Sequence, residues 1–243
     1  MKTANNKYGL FLYIVASILT SFLLVESAKA ADPPHLFWAL DVATNVSPEH
    51  NMYDSNPSYI HWPDVNGAVI HENRTKCSSF ITNVLMQSYG WTSTDFRNWM
   101  SSTSPTADKY YDAIRQQNGF VVIDNVNDIQ PGDIIAIKYP SGSTATGHIM
   151  LAKTTASPRT ATLPIVAETS QYQLQIIDSS QTGHGPTDSR LNEDGTYNPG
   201  AGIGILRLYA NSVGVVVGYT WSTYNSSKFY DPTTRPIIIG RLI

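Results

Sequence analysis

The sequence predicts an α+β fold, with N-terminal helices packed on a curled, mainly antiparallel sheet of about six strands. Helical periodicity is confined to the first half of the chain. After Gly119 the period switches to short β-branched or aromatic runs bounded by Gly, Pro, Asn or Ser. Helices first and strands afterwards, with no βα alternation, argue against a parallel sheet. The glycine-rich second half predicts that the sheet rolls toward a barrel.

The elements follow in order. Lys2 and Lys7 precede an apolar stretch over residues 8–25, and Ala28-Lys29-Ala30 supplies a small-x-small cleavage pattern. Residues 1–30 therefore read as a secretory signal cut after Ala30, which predicts a secreted or periplasmic protein. Ser17, Thr20 and Ser21 within the stretch argue against a retained anchor, so no stable membrane span is expected after cleavage. Residues 31–243 are expected to form one catalytic domain, with 31–70 an irregular N-terminal extension. Within that extension, Leu36, Phe37 and Leu40 give residues 34–46 a short helical face after Pro33-Pro34, and residues 47–72 read as an ordered surface loop.

Cys77, Phe80, Ile81, Val84 and Leu85 form the stripe of an amphipathic helix, with Thr75 as its N-cap and Gly90 as its stop. A further helix follows Ser104-Pro105 and ends at Gly119. Strands are expected over residues 120–123, 134–139, 148–153, 174–178, 203–208, 213–219 and 236–242.

Composition narrows the function. Of the 243 residues 14% are charged and 42% hydrophobic, which excludes a disordered tail or a coiled coil. A net charge of −3 and a pI near 6.0 remove any general electrostatic reason for nucleic-acid binding. A single cysteine excludes an internal disulfide, cysteine-rich zinc modules and two-cysteine redox motifs.

That lone thiol is either a buried apolar filler or a group retained for its reactivity. Cys77 falls in a first helical turn, where free N–H groups and the macrodipole favour thiolate, and Arg74 and Lys76 add positive charge nearby. A thiolate attacking a carbonyl needs a proton donor for the leaving group, and histidine suits that at neutral pH. His35, His50, His61 and His71 read as surface or loop residues. His148 opens a strand, after the Pro131-Gly132-Asp133 turn, a strand and a polar loop, so the imidazole lies at a sheet end where a helix N-terminus can face it.

Lys76-Cys77-Ser78-Ser79-Phe80 opening a helix, Pro131-Gly132-Asp133 with its strand, and then Gly147-His148 together resemble the NlpC/P60 and CHAP group of papain-like cysteine peptidases and amidases. The resemblance covers residues 70–180. It implies a papain-like fold and an exported hydrolase cleaving an amide or peptide bond through a thioester, with a peptide-like or cell-wall substrate. In that reading Cys77 attacks, His148 carries the proton, and Asp178 at the end of the next strand orients the imidazole, with Glu168 as the rival third residue. The backbone N–H of Cys77, with Tyr59 by analogy, would meet the oxyanion.

Beyond the triad, His184 and Arg190 are candidates for binding a substrate carboxylate. Equally, Asp188 and Arg190 pair to hold their loop. No metal site is expected, since no His-Glu-x-x-His or calcium-loop pattern occurs, and no cofactor is implied. Gly200-Ala201-Gly202-Ile203-Gly204 reads as strand-edge flexibility. The same triad would serve a thioesterase, an acyltransferase or a deamidase. The rival class is a non-catalytic peptide- or glycan-binding module with Cys77 buried, for which the five Trp and 14 Tyr furnish a stacking surface.

Overall fold

Four helices and eleven strands make up residues 31–243, the part of the chain that the computed structural model describes. The predicted signal, residues 1–30, lies outside the described residues. In chain order the elements are α1 (Pro34–Asn45), β1 (Asn51–Met52), β2 (Tyr59–His61), β3 (Glu72–Arg74), α2 (Cys77–Tyr89), α3 (Ser93–Met100) and α4 (Ala107–Arg115). Then follow β4 (Phe120–Val122), β5 (Ile134–Lys138), β6 (Gly147–Ala152), β7 (Ser157–Pro158), β8 (Ser170–Ser180), β9 (Gly200–Ala210), β10 (Val216–Thr220) and β11 (Ile237–Leu242). Residues Asp32–Ile243 form one unit. Among the described residues no helix is long and apolar enough to cross a membrane.

The expected single curled sheet of about six strands is not what forms. There are two open sheets, one of three strands in the order β1-β3-β2 and one of eight, ordered β10-β9-β8-β6-β5-β11-β4 with β7 paired to β8. The papain-like architecture expected from the resemblance falls with that sheet. Two physical reasons account for the difference. The strands of the small sheet are two or three residues long, too short to carry a period of two, and they lie where the sequence reads as loop. In the large sheet, β8 and β9 run eleven residues each and pair along their whole length, from Ser170↔Ala210 to Ser180↔Gly200. The polar ends of β8 and the glycine end of β9 hide that length from a hydrophobicity pattern. Helix α3 was also missed, because only Phe96 and Met100 of it are buried.

α2 is built as its stripe predicts. Phe80, Ile81, Val84 and Leu85 are fully buried, each side chain contributing about 1.5–3 kcal/mol. The N-cap is Lys76 rather than Thr75: Ser79 Oγ accepts the Lys76 N–H at 2.9 Å. Gly90, at φ +67°, ends the helix in the left-handed region.

The large sheet separates two apolar clusters. Cys77, Phe80 and the rest of the helical core pack with Ile134, Ala136, Ile149, Leu151, Ile177 and Ala201. Ile135, Ile137, Met150, Ala152, Leu174, Ile176, Leu206 and Leu208 form the second cluster. Strand alternation sets His148 in phase with Met150 and Ala152, and Asp178 in phase with Leu174 and Ile176.

Candidate functional site

Three elements deliver the charged side chains. His148 stands near the start of β6, paired with Ile137 across the β5–β6 hairpin. Asp178 lies near the end of β8, opposite Gly202 of β9. His184, Asp188 and Arg190 come from the loop after β8. The glycines of β9 make room for that loop. A Cβ on Gly202 would lie 2.6 Å from Arg190 Nε, and one on Gly204 would lie 2.6 Å from both His184 Cβ and Asp188 Oδ2. Gly202 and Gly204 are therefore a bed for charged side chains rather than a loose strand edge, while a Cβ on Gly200 would meet Asn51.

Asp178 is fully buried and sits at the centre. Its Oδ2 is 2.6 Å from His148 Nε2 and 2.8 Å from His184 Nε2. Its Oδ1 is 3.0 Å from Arg190 Nη1, an ion pair whose angles leave that oxygen without a hydrogen bond. Arg190 in turn donates from Nε and Nη2 to the two carboxylate oxygens of Asp188, both at 2.8 Å, and from Nη1 to Gly200 O at 3.0 Å. Burial would raise the Asp178 carboxyl, but the charges of Arg190 and His184 and the hydrogen bonds from both histidines hold it well below the usual carboxylate range. Burial would lower His148, yet the charges of Cys77 and Asp178 and the bond to Asp178 push it up to about 10.

Above this cluster opens a cavity of about 190 Å³ lined by Tyr139, His148, Ser180, Thr182, His184 and Trp221. The Trp221 ring meets the His148 ring edge-on at 5.3 Å, and the Trp221 carbonyl lies 3.0 Å from His184 Nδ1. A larger cavity of about 330 Å³, lined by residues that include Ile60, His61, Trp62 and Gln87, shares none of these side chains.

The cysteine-hydrolase expectation is overturned here. The buried hydrogen-bonded cluster consists of His148, Asp178 and His184, and Cys77 is not a member of it. The thiol is 7% exposed and packs in the helical core. Asp178, which the triad needs as a dedicated partner for His148, is shared with a second histidine and an arginine. Among the described residues no Cys-His-Asp catalytic triad is present, and the peptidase, amidase, thioesterase, acyltransferase and deamidase readings built on it fall together. Cys77 still senses the charged histidine: burial would raise the thiol, but the His148 charge holds it below its ordinary value.

The other sequence candidates fall into place. His184 and Arg190 are buried supports of Asp178, and Asp188 pairs with Arg190 as the loop-holding reading has it. Tyr59 stacks on His61 in the small sheet, ring centroids 4.5 Å apart. Tyr53 was missed. Its phenol is raised by burial and by Cys77, and no sequence pattern marks it. His35, read as a surface residue, is buried, with Nδ1 2.7 Å from Tyr89 Oη and Nε2 2.7 Å from Gly132 O.

No family model matches the chain, and no solved structure matches it. It is similar to the uncharacterized protein R653 of Acanthamoeba polyphaga mimivirus, 32% identical over 221 residues that cover 87% of this chain and 97% of that protein.

Proposed function

On the premise that the chain belongs to the same family as the mimivirus protein, we propose that it is an exported binding protein whose cleft takes a peptide-like ligand. His148 and His184 line the cleft; Asp178, itself gripped by Arg190, holds both imidazoles from behind. One observation carries this reading: two imidazoles, two hydroxyls and two aromatic faces converge on one cleft, while the carboxylates and the guanidinium are buried beneath it. Ser180 and Thr182 supply groups that both donate to a peptide carbonyl and accept from a peptide N–H. Tyr139 and Trp221 supply flat apolar faces for a side chain. The acidic balance of the sequence favours no nucleic-acid partner.

The experiment is titration of short peptides into the protein, followed by tryptophan fluorescence and calorimetry. Saturable binding is expected, weakened by Trp221→Ala and by Thr182→Val. Absence of saturable binding across a peptide library, or binding that Trp221→Ala leaves untouched, overturns the reading. Export is tested separately by sequencing the N-terminus of protein recovered from the extracytoplasmic fraction. A mature chain starting at Ala31 is expected, and a full-length chain confined to the cytosol would refute it.

A further inference from the structure

We propose that His148, Asp178 and His184 bind one divalent transition-metal ion, with zinc the first choice. The three side chains are buried, and their ligand atoms all lie within 4.8 Å of one another. They come from a strand start, a strand end and a loop, which is why no short sequence motif announces them.

His184 carries the argument. Its Nδ1 is 3.0 Å from the Trp221 carbonyl oxygen. That oxygen only accepts, so Nδ1 holds a proton. In a neutral ring Nε2 is then a bare lone pair, and it points at Asp178 Oδ2 from 2.8 Å. A lone pair facing a carboxylate oxygen in a buried site is repulsive unless the two atoms share a cation. A proton is one such cation. A metal ion is the other, and a ring N–H donated to a backbone carbonyl is the support that metal-ligating histidines take.

Asp178 meets a fixed charge on its other side. Its Oδ1 is buried without a hydrogen bond although Arg190 Nη1 is 3.0 Å away. The guanidinium, itself fixed by Asp188, neutralises that side of the carboxylate and leaves Oδ2 for the ion. Both His148 Nε2 and His184 Nε2 already converge on Oδ2. Two imidazoles and one carboxylate suit zinc, iron(II) or cobalt(II), and a three-ligand site leaves a coordination position toward the cleft and its Ser180 and Thr182 hydroxyls.

The test is metal content of the purified protein after loading with zinc chloride or cobalt chloride and exhaustive dialysis. One ion per chain is expected, with cobalt giving the visible bands of a low-symmetry site. His184→Gln and Asp178→Asn should each lower affinity by about tenfold or more. His61→Ala, which alters the exposed pair with Glu72, should leave the content unchanged. Should either site variant fail to fold, nitrogen-15 spectra of the wild-type histidines decide: zinc must move His184 Nε2 to the shift of a metal-bound nitrogen. An unmoved His184 Nε2 in excess zinc, or equal metal content in folded wild type and His184→Gln, overturns the site. Peptide titration in the presence of EDTA separates this from the binding reading, since peptide binding without metal uptake sinks the metal site alone.

Discussion

Asp188 grips Arg190 with both carboxylate oxygens, at 2.8 Å from Nε and 2.8 Å from Nη2, where the arginine side chain is 2% exposed and the aspartate 0%. The pair is a strut. It presents Nη1 to Asp178 and to the Gly200 carbonyl, tying the loop after β8 to β9. Burial would lower the Arg190 guanidinium, but Asp178 and Asp188 outweigh it and hold it above its usual value.

Removing one member of this pair leaves the other charged and buried. Asp188→Ala is expected to destabilise the protein by about 3–5 kcal/mol, read as a fall in the urea midpoint at an unchanged slope. Arg190→Met should cost less in packing yet release Asp178, so peptide binding should fall as well. A loss below about 1 kcal/mol for Asp188→Ala, the range of an exposed pair, would mean that the strut does not hold the loop.

Gly202 and Gly204 test the same arrangement from the strand side. Both lie on the β9 face that carries the loop, and an added methyl would come within 2.6 Å of Arg190 Nε or of His184 Cβ. Gly204→Ala is expected to displace His184, weakening peptide binding and any bound metal together, with a stability loss of about 1–3 kcal/mol. Ala201, on the opposite face, belongs to the helical core, so Ala201→Gly should lower stability while leaving the cleft ligand in place. If Gly204→Ala binds peptide like wild type, the glycine bed has no bearing on the site.

How far the sequence could be read depends on where each signal resides. The α2 stripe and its Gly90 stop are local, and the structure builds both. The hairpin from Pro131 through His148 is local too, and β5 and β6 pair as a simple turn-and-return. The small sheet and the true length of β8 and β9 were not legible, because those segments lack an apolar alternation. His148 and Asp178 lie near strand ends and hydrogen-bond to each other, but the triad expected of them does not form. Their grouping with His184 was not legible, because Asp178 chooses its partners in space. The one overlooked clue was the period-two glycine run in β9, which pairs with the strand carrying Asp178 and clears the face on which the loop lies. Cys77 misled for a physical reason: a first-turn position and an apolar stripe are both true of it, and packing in the core settles its place.

Burial of Cys77 makes a direct prediction about its chemistry. Burial would raise the thiol but the His148 charge holds it below its ordinary value, so a raised pKa is not what protects it. Any resistance to alkylation must come from the packing that leaves it 7% exposed. Iodoacetamide labelling of native protein is expected to be at least about a hundredfold slower than labelling in denaturant. Labelling of the native protein faster than of the unfolded chain would mean an accessible, activated thiol, contrary to the core position described above.

His35 and Gly132 provide the pH-dependent prediction. His35 Nε2–H donates to the Gly132 carbonyl and Nδ1 accepts from the Tyr89 hydroxyl, so the neutral ring is fully satisfied between α1, α2 and the Pro131-Gly132 turn. Burial is the largest influence on it, outweighing the Gly132 bond and the Asp133 charge, and it holds the imidazole below its ordinary value of 6.5. The sign follows from proton binding. Between the two pKa values the unfolded chain carries the proton and the folded one does not, so stability rises with pH. The His35 contribution is complete above about pH 6.5 and is lost as the pH falls through the lower, folded value. Urea midpoints measured from pH 8 to pH 5 should decline for wild type and decline less steeply for His35→Gln, which cannot titrate. His35→Gln should also be less stable than wild type at pH 8, because a glutamine cannot reproduce both bonds at the ring's separation. Parallel pH profiles for the two proteins would assign the acid sensitivity to other groups and leave His35 with a packing role alone.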